Sequence, residues 1–249
     1  MTIADNGWDS RAWLDGDWLH REPRREAVRP RLLAEARLLP WLAPQLPLPV
    51  PIPEPTQYGV RHLLLVGDPL EDDASTALGR DLGTFLQALH AVDPAEAVAH
   101  GALDAATAEA DKTRFLDEAR AQVLPLLPAA AQPAAADLLN QVGTGARNSL
   151  IHSDLAPEHV LVSDARITGI IDWTDAEIGD PAVDLCWLLN DAPTALAEGV
   201  EQTYNLTPEL RHRAHDWHRL GPWYGVHRGL LLNLPKDVEE GITAILTRL

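Results

Sequence analysis

The sequence predicts an α+β chain in which a small β-rich lobe precedes a larger, mainly helical lobe. Three observations carry this: a candidate hairpin near the start, a proline-rich connector after it, and helical spacing of apolar residues through most of the remainder. A pair of short β-branched runs around residues 159–171 interrupts the helical half.

Taken in order, residues 11–14 and 17–21 flank Asp15 and Gly16, the residue types that a tight two-residue hairpin turn needs. After Pro30, Leu32, Leu33, Ala36 and Leu39 recur at helical spacing, and Pro40 is expected to end that helix. Glu35 rides on it. The run PLPVPIPEP (47–55) cannot be a regular helix, because proline removes donors and fixes φ, so it predicts an extended connector. The apolar run VRHLLLVGDPL (60–70) reads as a buried strand entering a turn at Gly67, Asp68 and Pro69. A lobe boundary is expected there, dividing the chain into 1–67 and 68–249. Helical patterns follow at 78–92, about 103–127 and 133–142, and again from Pro181 to the C-terminus. Between them, His159–Ser163 and Arg166–Ile171 predict a second hairpin turning at Asp164 and Ala165. There is no internal repeat.

Composition narrows the partners. The 249 residues carry a formal charge of -17, which argues against sequence-independent binding to nucleic acid or to an anionic membrane. The same charge attracts a cationic small molecule, although it also serves solubility alone. The single cysteine, Cys186, excludes an internal disulfide, and its apolar neighbours mark it as a core thiol in a reducing compartment. The N-terminus lacks a basic segment followed by an apolar one, and no window reaches the ~18 apolar residues of a membrane span. A cytoplasmic monomer or homodimer is expected.

The chemistry concentrates between residues 151 and 185. Asp154 lies two residues after His152 and five before His159, the count of a kinase catalytic loop H-x-D-x-x-x-x-N with His in place of Asn. Asp172 follows the apolar run ITGII, where a second, metal-binding Asp belongs in that scheme. Phosphoryl transfer needs a group that orients the attacking hydroxyl, a cation between the phosphates and donors that hold them, and this spacing supplies carboxylates for the first two. Upstream, HREPRREAVRPRLLAEAR (20–37) sets six arginines against three glutamates, a locally positive strip suited to a triphosphate.

The stretch HSDLAPEHVLVSDARITGIIDWTDAEIGDPAVDL (152–185) resembles the catalytic core of the aminoglycoside phosphotransferase family, and within it His159 and the phrase IDWTDAEIGDPAVDL are most similar to the macrolide phosphotransferases. Ser153, where Gly is more usual, is similar to hygromycin phosphotransferases. Trp18 to Arg25 resembles the family's phosphate-binding strand, Leu33 to Ala36 its paired helix, and Leu86 to His90 its Leu-His helix; the likeness covers roughly residues 7 to 190. It implies a two-lobed protein-kinase-like fold with a reduced N-terminal β lobe. It implies an enzyme that moves the γ-phosphate of ATP or GTP onto a hydroxyl of an antibiotic-like acceptor, macrolide or aminoglycoside, and so confers resistance. In that scheme Asp154 is the catalytic base and Asp172 holds Mg²⁺ on the nucleotide, with His159 contributing to the metal site although Mg²⁺ prefers oxygen. Arg21 holds phosphate oxygens, Glu35 positions Arg21, and Gly7 sits in the nucleotide-covering loop. Asp184 accepts hydrogen bonds from the catalytic-loop backbone, and His152 braces the same loop.

Two departures from the family stand out. The first strand of the small lobe is missing or reduced to residues 1–5, and Glu22 brings a carboxylate next to Arg21 that strand alternation should turn away. Two other function classes compete: a catalytically silent kinase-like binding protein, and a metal-dependent hydrolase with His152, Asp154, His159 and Asp172 as ligands. The histidines of RHRAHDWHRLGPWYGVHRG (211–229) fit no standard ligand spacing and read as a polar helix face, while Trp217, Trp223 and Tyr224 are candidates for either core or acceptor pocket.

Overall fold

The computed structural model of the protein describes residues 2–4, 10–70 and 75–249. Its first sheet is antiparallel throughout, with strands β1 (Thr2–Ala4), β2 (Ser10–Asp15), β3 (Trp18–Pro23), β4 (Glu54–Pro55) and β5 (Val60–Leu63) in the order β1-β2-β3-β5-β4. The reduced first strand is thus present, pairing Thr2 with Leu14 and Ala4 with Ala12. The predicted hairpin forms between β2 and β3, with Asp15 opposite Trp18. Its two loop residues are Gly16 and Asp17, one position later than the sequence suggested. Gly16 takes φ 59°, which the first position of a tight turn requires.

Register decides what each face of this sheet presents. Arg21 lies opposite Ala12 and Val60, so these three share one face; Glu22, opposite Arg11, falls on the other. The expected alternation holds, and the face away from Arg21 carries Trp13 stacked on His20 at 5.1 Å and the Arg61 guanidinium 4.3 Å from the Trp18 ring.

Helix α1 (Arg29–Leu42) crosses behind the sheet and corrects one expectation, because Pro40 lies inside it. Within the last turn the proline forfeits a single backbone bond, and burial of Leu38, Leu39 and Leu42 outweighs that loss. Leu32 and Ala36 join Val28 and Val60 in a small separate apolar cluster, while Leu38, Leu39 and Leu42 belong to the main core. One helix therefore packs into both halves.

Residues 46–53 form neither helix nor strand, as the prolines dictate, with a bend at 47 and 48. The run after Val60 is a second correction: β5 ends at Leu63, and Leu63, Leu64 and Val66 are exposed rather than buried. The chain leaves the first sheet here, and β6 (Asp68–Pro69) pairs with β8 (Val160–Ser163), which pairs with β9 (Arg166–Ile170). The β8–β9 hairpin turns at Asp164 and Ala165, both at positive φ, as a tight two-residue loop demands.

The helical half contains α2 (Thr76–His90), α3 (Pro94–His100), α4 (Ala105–Glu118), α5 (Gln132–Gln141), α6 (Ala182–Asn190), α7 (Thr194–Thr203), α8 (Pro208–Leu232) and α9 (Pro235–Arg248). A two-stranded ladder of β7 (Ser149–Ile151) and β10 (Glu177–Gly179) lies among them. Trp217 and Trp223 are buried in the core, and Tyr224 stacks on Phe115 at 3.8 Å. Cys186 packs against the same core, where burial pushes its thiol up to about 12. Among the described residues no helix is long and apolar enough to cross a membrane.

Helices α2 and α7 approach closely because glycines face each other. A Cβ at Gly79 would collide with the Leu196 carbonyl, one at Gly199 with the Thr76 carbonyl, and one at Gly83 with the Thr203 hydroxyl. Gly79→Ala is expected to cost about 1–3 kcal/mol through forced separation of the helices. A urea midpoint equal to that of the parent would show that the contact has slack.

Candidate active site

Strand β7 delivers the chain into the loop that carries His152, Ser153 and Asp154. Its shape is fixed from below by Asp184 in the first turn of α6, which is fully buried. Asp184 Oδ2 accepts from the His152 amide at 2.9 Å, and Oδ1 accepts from the Ser153 amide at 2.8 Å. The His90 ring donates from Nε2 to Oδ2 at 3.1 Å. Burial works to raise this carboxyl, but the bonds and charge of His90 and His152 outweigh it and hold it below the usual carboxylate range. Ser153 takes φ 74°, a left-handed conformation that explains why Gly is the residue expected there.

His152 is buried completely and both ring nitrogens are engaged. Nε2 donates to the Ile171 carbonyl at 2.9 Å, and Nδ1 accepts from the Asp154 amide at 3.3 Å. Burial depresses its pKa, so the ring stays neutral and spans from the Asp154 segment to the Asp172 segment. With no nitrogen left over, His152 cannot be a metal ligand, which removes one of the four ligands that the hydrolase reading needs.

Asp172 follows β9 at φ 62°, and here the two halves of the chain meet. All five N–H groups of Arg21 are engaged. Nη1 donates to both Glu35 oxygens at 2.9 Å, Nη2 donates to Asp172 Oδ1 at 2.9 Å and Thr174 Oγ1 at 3.1 Å, and Nε points to Ser10 Oγ at 3.4 Å. The Thr174 hydroxyl also donates to Asp172 Oδ1 at 2.6 Å. Burial opposes the Arg21 charge, yet the two carboxylates raise its pKa further. Burial pushes Glu35 up to about 7, and its two-point contact with the permanently charged guanidinium works against that rise. Asp172 is held low: burial would raise it, and Arg21 and the Thr174 hydroxyl reverse that. A second bridge, Arg31 to Asp175 at 2.8 Å, joins α1 to the same loop.

His159 completes the group. Its Nδ1 donates to the Asp154 carbonyl at 2.6 Å, and Nε2 lies 3.9 Å from Asp172 Oδ2. The Asp154 carboxylate lies 3.7 Å from His159 Nδ1. Although 55% of the Asp154 side chain meets solvent, the protein around its carboxyl pushes it up to about 6. Desolvation leads, partly offset by His159 and reinforced by Asp175, Asp172 and Glu158.

The structure thus gathers Arg21, Glu35, His152, Asp154, His159, Asp172 and Asp184 into one connected network, while Gly7 lies outside the described residues. Sequence reasoning missed Ser10, Thr174, Asp175 and Tyr204, whose hydroxyl lies 2.7 Å from His90 Nδ1. Thr174, two residues after Asp172 in DWTD, carried the only local signal of the four. Among the described residues no three His, Cys, Asp or Glu side chains form a ready metal cage.

The model of the phosphotransferase enzyme family matches residues 1–223. The chain belongs to that family. It is 30% identical to a macrolide 2′-phosphotransferase from Brachybacterium faecium, covering 98% of this chain and 90% of that one with a TM-score of 0.75. The GDP complex of aminoglycoside 2′-phosphotransferase-IIIa shares the fold, with a TM-score of 0.85 at 22% identity over 100% of this chain and 92% of that one. Viomycin phosphotransferase of Streptomyces vinaceus is 33% identical over 135 residues, which span 48% of this chain and only 45% of that protein. The two-lobed fold drawn from the catalytic motif is therefore the fold of the family.

Proposed function

We propose that the protein is an O-phosphotransferase that moves the γ-phosphate of ATP or GTP onto a hydroxyl of an antibiotic-like acceptor. Residues 1–67 would form the nucleotide lobe and 68–249 the catalytic and acceptor lobe. The single observation that carries this is the Glu35–Arg21–Asp172 ion chain, which ends beside Asp154 and His159 on a braced loop. Family membership and the named activities of the relatives support the same reading.

Each residue then has a task. Arg21 Nη2 exchanges Asp172 and Thr174 for a phosphate oxygen while Nη1 stays on Glu35, so the guanidinium arrives already oriented. Asp172, released from Arg21, and His159 Nε2 are the groups that would hold Mg²⁺, which when bound neutralises charge on the phosphates. Asp154 orients the acceptor hydroxyl and takes its proton; a carboxylate raised to about 6 is a better proton acceptor than an ordinary one yet remains ionised at neutral pH. Asp175 and Glu158 add negative charge around Asp154 and, with the net charge of -17, favour a cationic acceptor.

Two measurements follow. Glu35→Gln, which keeps the shape but weakens the hold on Arg21, should raise nucleotide KM about tenfold with a smaller change in kcat; an unchanged KM would remove Arg21 from nucleotide binding. The acid limb of kcat/KM should titrate with an apparent pKa of about 6, set by Asp154 in the free enzyme. A flat profile between about pH 5 and 8 would exclude Asp154 as the group that must be ionised. The proposal itself is tested by nucleoside diphosphate release with Mg²⁺ and ATP or GTP across macrolides, aminoglycosides, viomycin and small alcohols. Release that depends on one acceptor class supports it, and nucleotide binding without release under any acceptor favours the silent binding protein.

A further inference from the structure

The glycine-lined contact of α2 and α7 has a second outcome. Gly79 meets Leu196 and Gly199, and Gly83 meets Val200 and Thr203, so the two helices run in the same sense. Thr203, the last residue of α7, meets α2 at Gly83, and the next residue, Tyr204, carries its side chain to His90 at the C-terminal end of α2. There the Tyr204 hydroxyl lies 2.7 Å from His90 Nδ1, with the two rings edge to face at 5.6 Å. His90 Nε2 lies 3.1 Å from Asp184 Oδ2, and Asp184 holds the amides of His152 and Ser153.

We propose that Tyr204 is a positioning residue for the catalytic loop, acting through His90 and Asp184 on the backbone that aims Asp154. This rests on the phosphotransfer reading only for its kinetic consequence. The chemistry of the chain sets its direction. Asp184 only accepts, so His90 Nε2 carries the proton shared with it. The other ring nitrogen, Nδ1, has the buried Tyr204 phenol as its partner at 2.7 Å. Without the hydroxyl, Nδ1 is left buried without a partner, and the ring gains by turning toward another one. That turn takes a donor from Asp184. The loop is sensitive to that loss because Ser153 sits at φ 74°, where glycine would rest without strain. A phenylalanine at 204 keeps the edge contact with His90 and loses only the bond.

The experiment compares the full-length parent, Tyr204→Phe, His90→Gln and the double variant by amide hydrogen exchange and by steady-state kinetics. In Tyr204→Phe, the His152 and Ser153 amides should exchange about tenfold faster while amides of α2 and α7 keep their rates. Turnover should fall about tenfold with nucleotide KM unchanged, and Tyr204→Phe should add nothing once His90 is Gln. Unchanged exchange at His152 and Ser153, or uniform acceleration along α2 and α7, would overturn the proposal, because the hydroxyl would then serve packing alone. If the parent phosphorylates no acceptor, the phosphotransfer reading fails by itself, and the exchange rates still decide the relay.

Discussion

Asp154→Asn is expected to lower kcat by about 10²–10⁴-fold, leave nucleotide affinity nearly unchanged and slightly stabilise the protein. The first effect follows from removing the group proposed to take the acceptor proton, while Arg21, Glu35 and Asp172 retain their contacts with one another. The stability change has a definite sign. The folded protein raises the Asp154 carboxyl to about 6, so it favours the protonated form. That contribution is complete below the ordinary carboxylate range and is lost as pH rises through about 6. At neutral pH the ionised carboxylate therefore costs stability, and Asn removes the cost. The side chain is half exposed, so solvent screens the effect and the gain in Tm should be about 1–2 °C. Thermal denaturation together with single-turnover kinetics checks both parts. A variant that is inactive and clearly less stable would mean that Asn disrupts the loop, and the kinetic loss would then say nothing of proton transfer.

Asp184→Ala should have the largest effect on stability. It strands three donors at once, the amides of His152 and Ser153 and the His90 ring, around a fully buried carboxylate. Removing one side of a buried charged cluster costs about 3–5 kcal/mol, which for a protein of this size lowers Tm by about 10 °C. Turnover should also fall in the fraction that stays folded, because Ser153 loses the bond that holds its left-handed backbone. Asp184→Asn retains an acceptor and should fall between the two. Equal Tm for Asp184→Ala and the parent would show that water replaces the carboxylate, contrary to the buried geometry.

The residues most legible in the sequence are those whose roles are set by short-range spacing. His152, Asp154 and His159 sit on one loop, Asp172 directly follows a strand, and each hairpin announced its turn, so local counting located them. The Glu35 pairing came from family likeness, because nothing local links residues 14 apart. Pro40 misled because a single proline in a last helical turn loses only one bond while three buried leucines hold the helix. The apolar run at 63–66 misled because strands and exposed connectors can share a composition, and only the missing partner strand distinguishes them. Ser10, Thr174 and Tyr204 act through partners far away in the chain, and Ser153 matters through a backbone angle. None of these leaves a periodic trace.

The most direct test of the whole account is the fate of a labelled γ-phosphate in a single turnover, followed with the parent and with Asp154→Asn, in the presence of Mg²⁺ and the acceptor that supports nucleotide turnover. The parent should place the label on an acceptor hydroxyl as a phosphate ester, and Asp154→Asn should bind nucleotide but leave the label on it. Label released by the parent only as inorganic phosphate, or equal transfer by both proteins, would contradict that expectation.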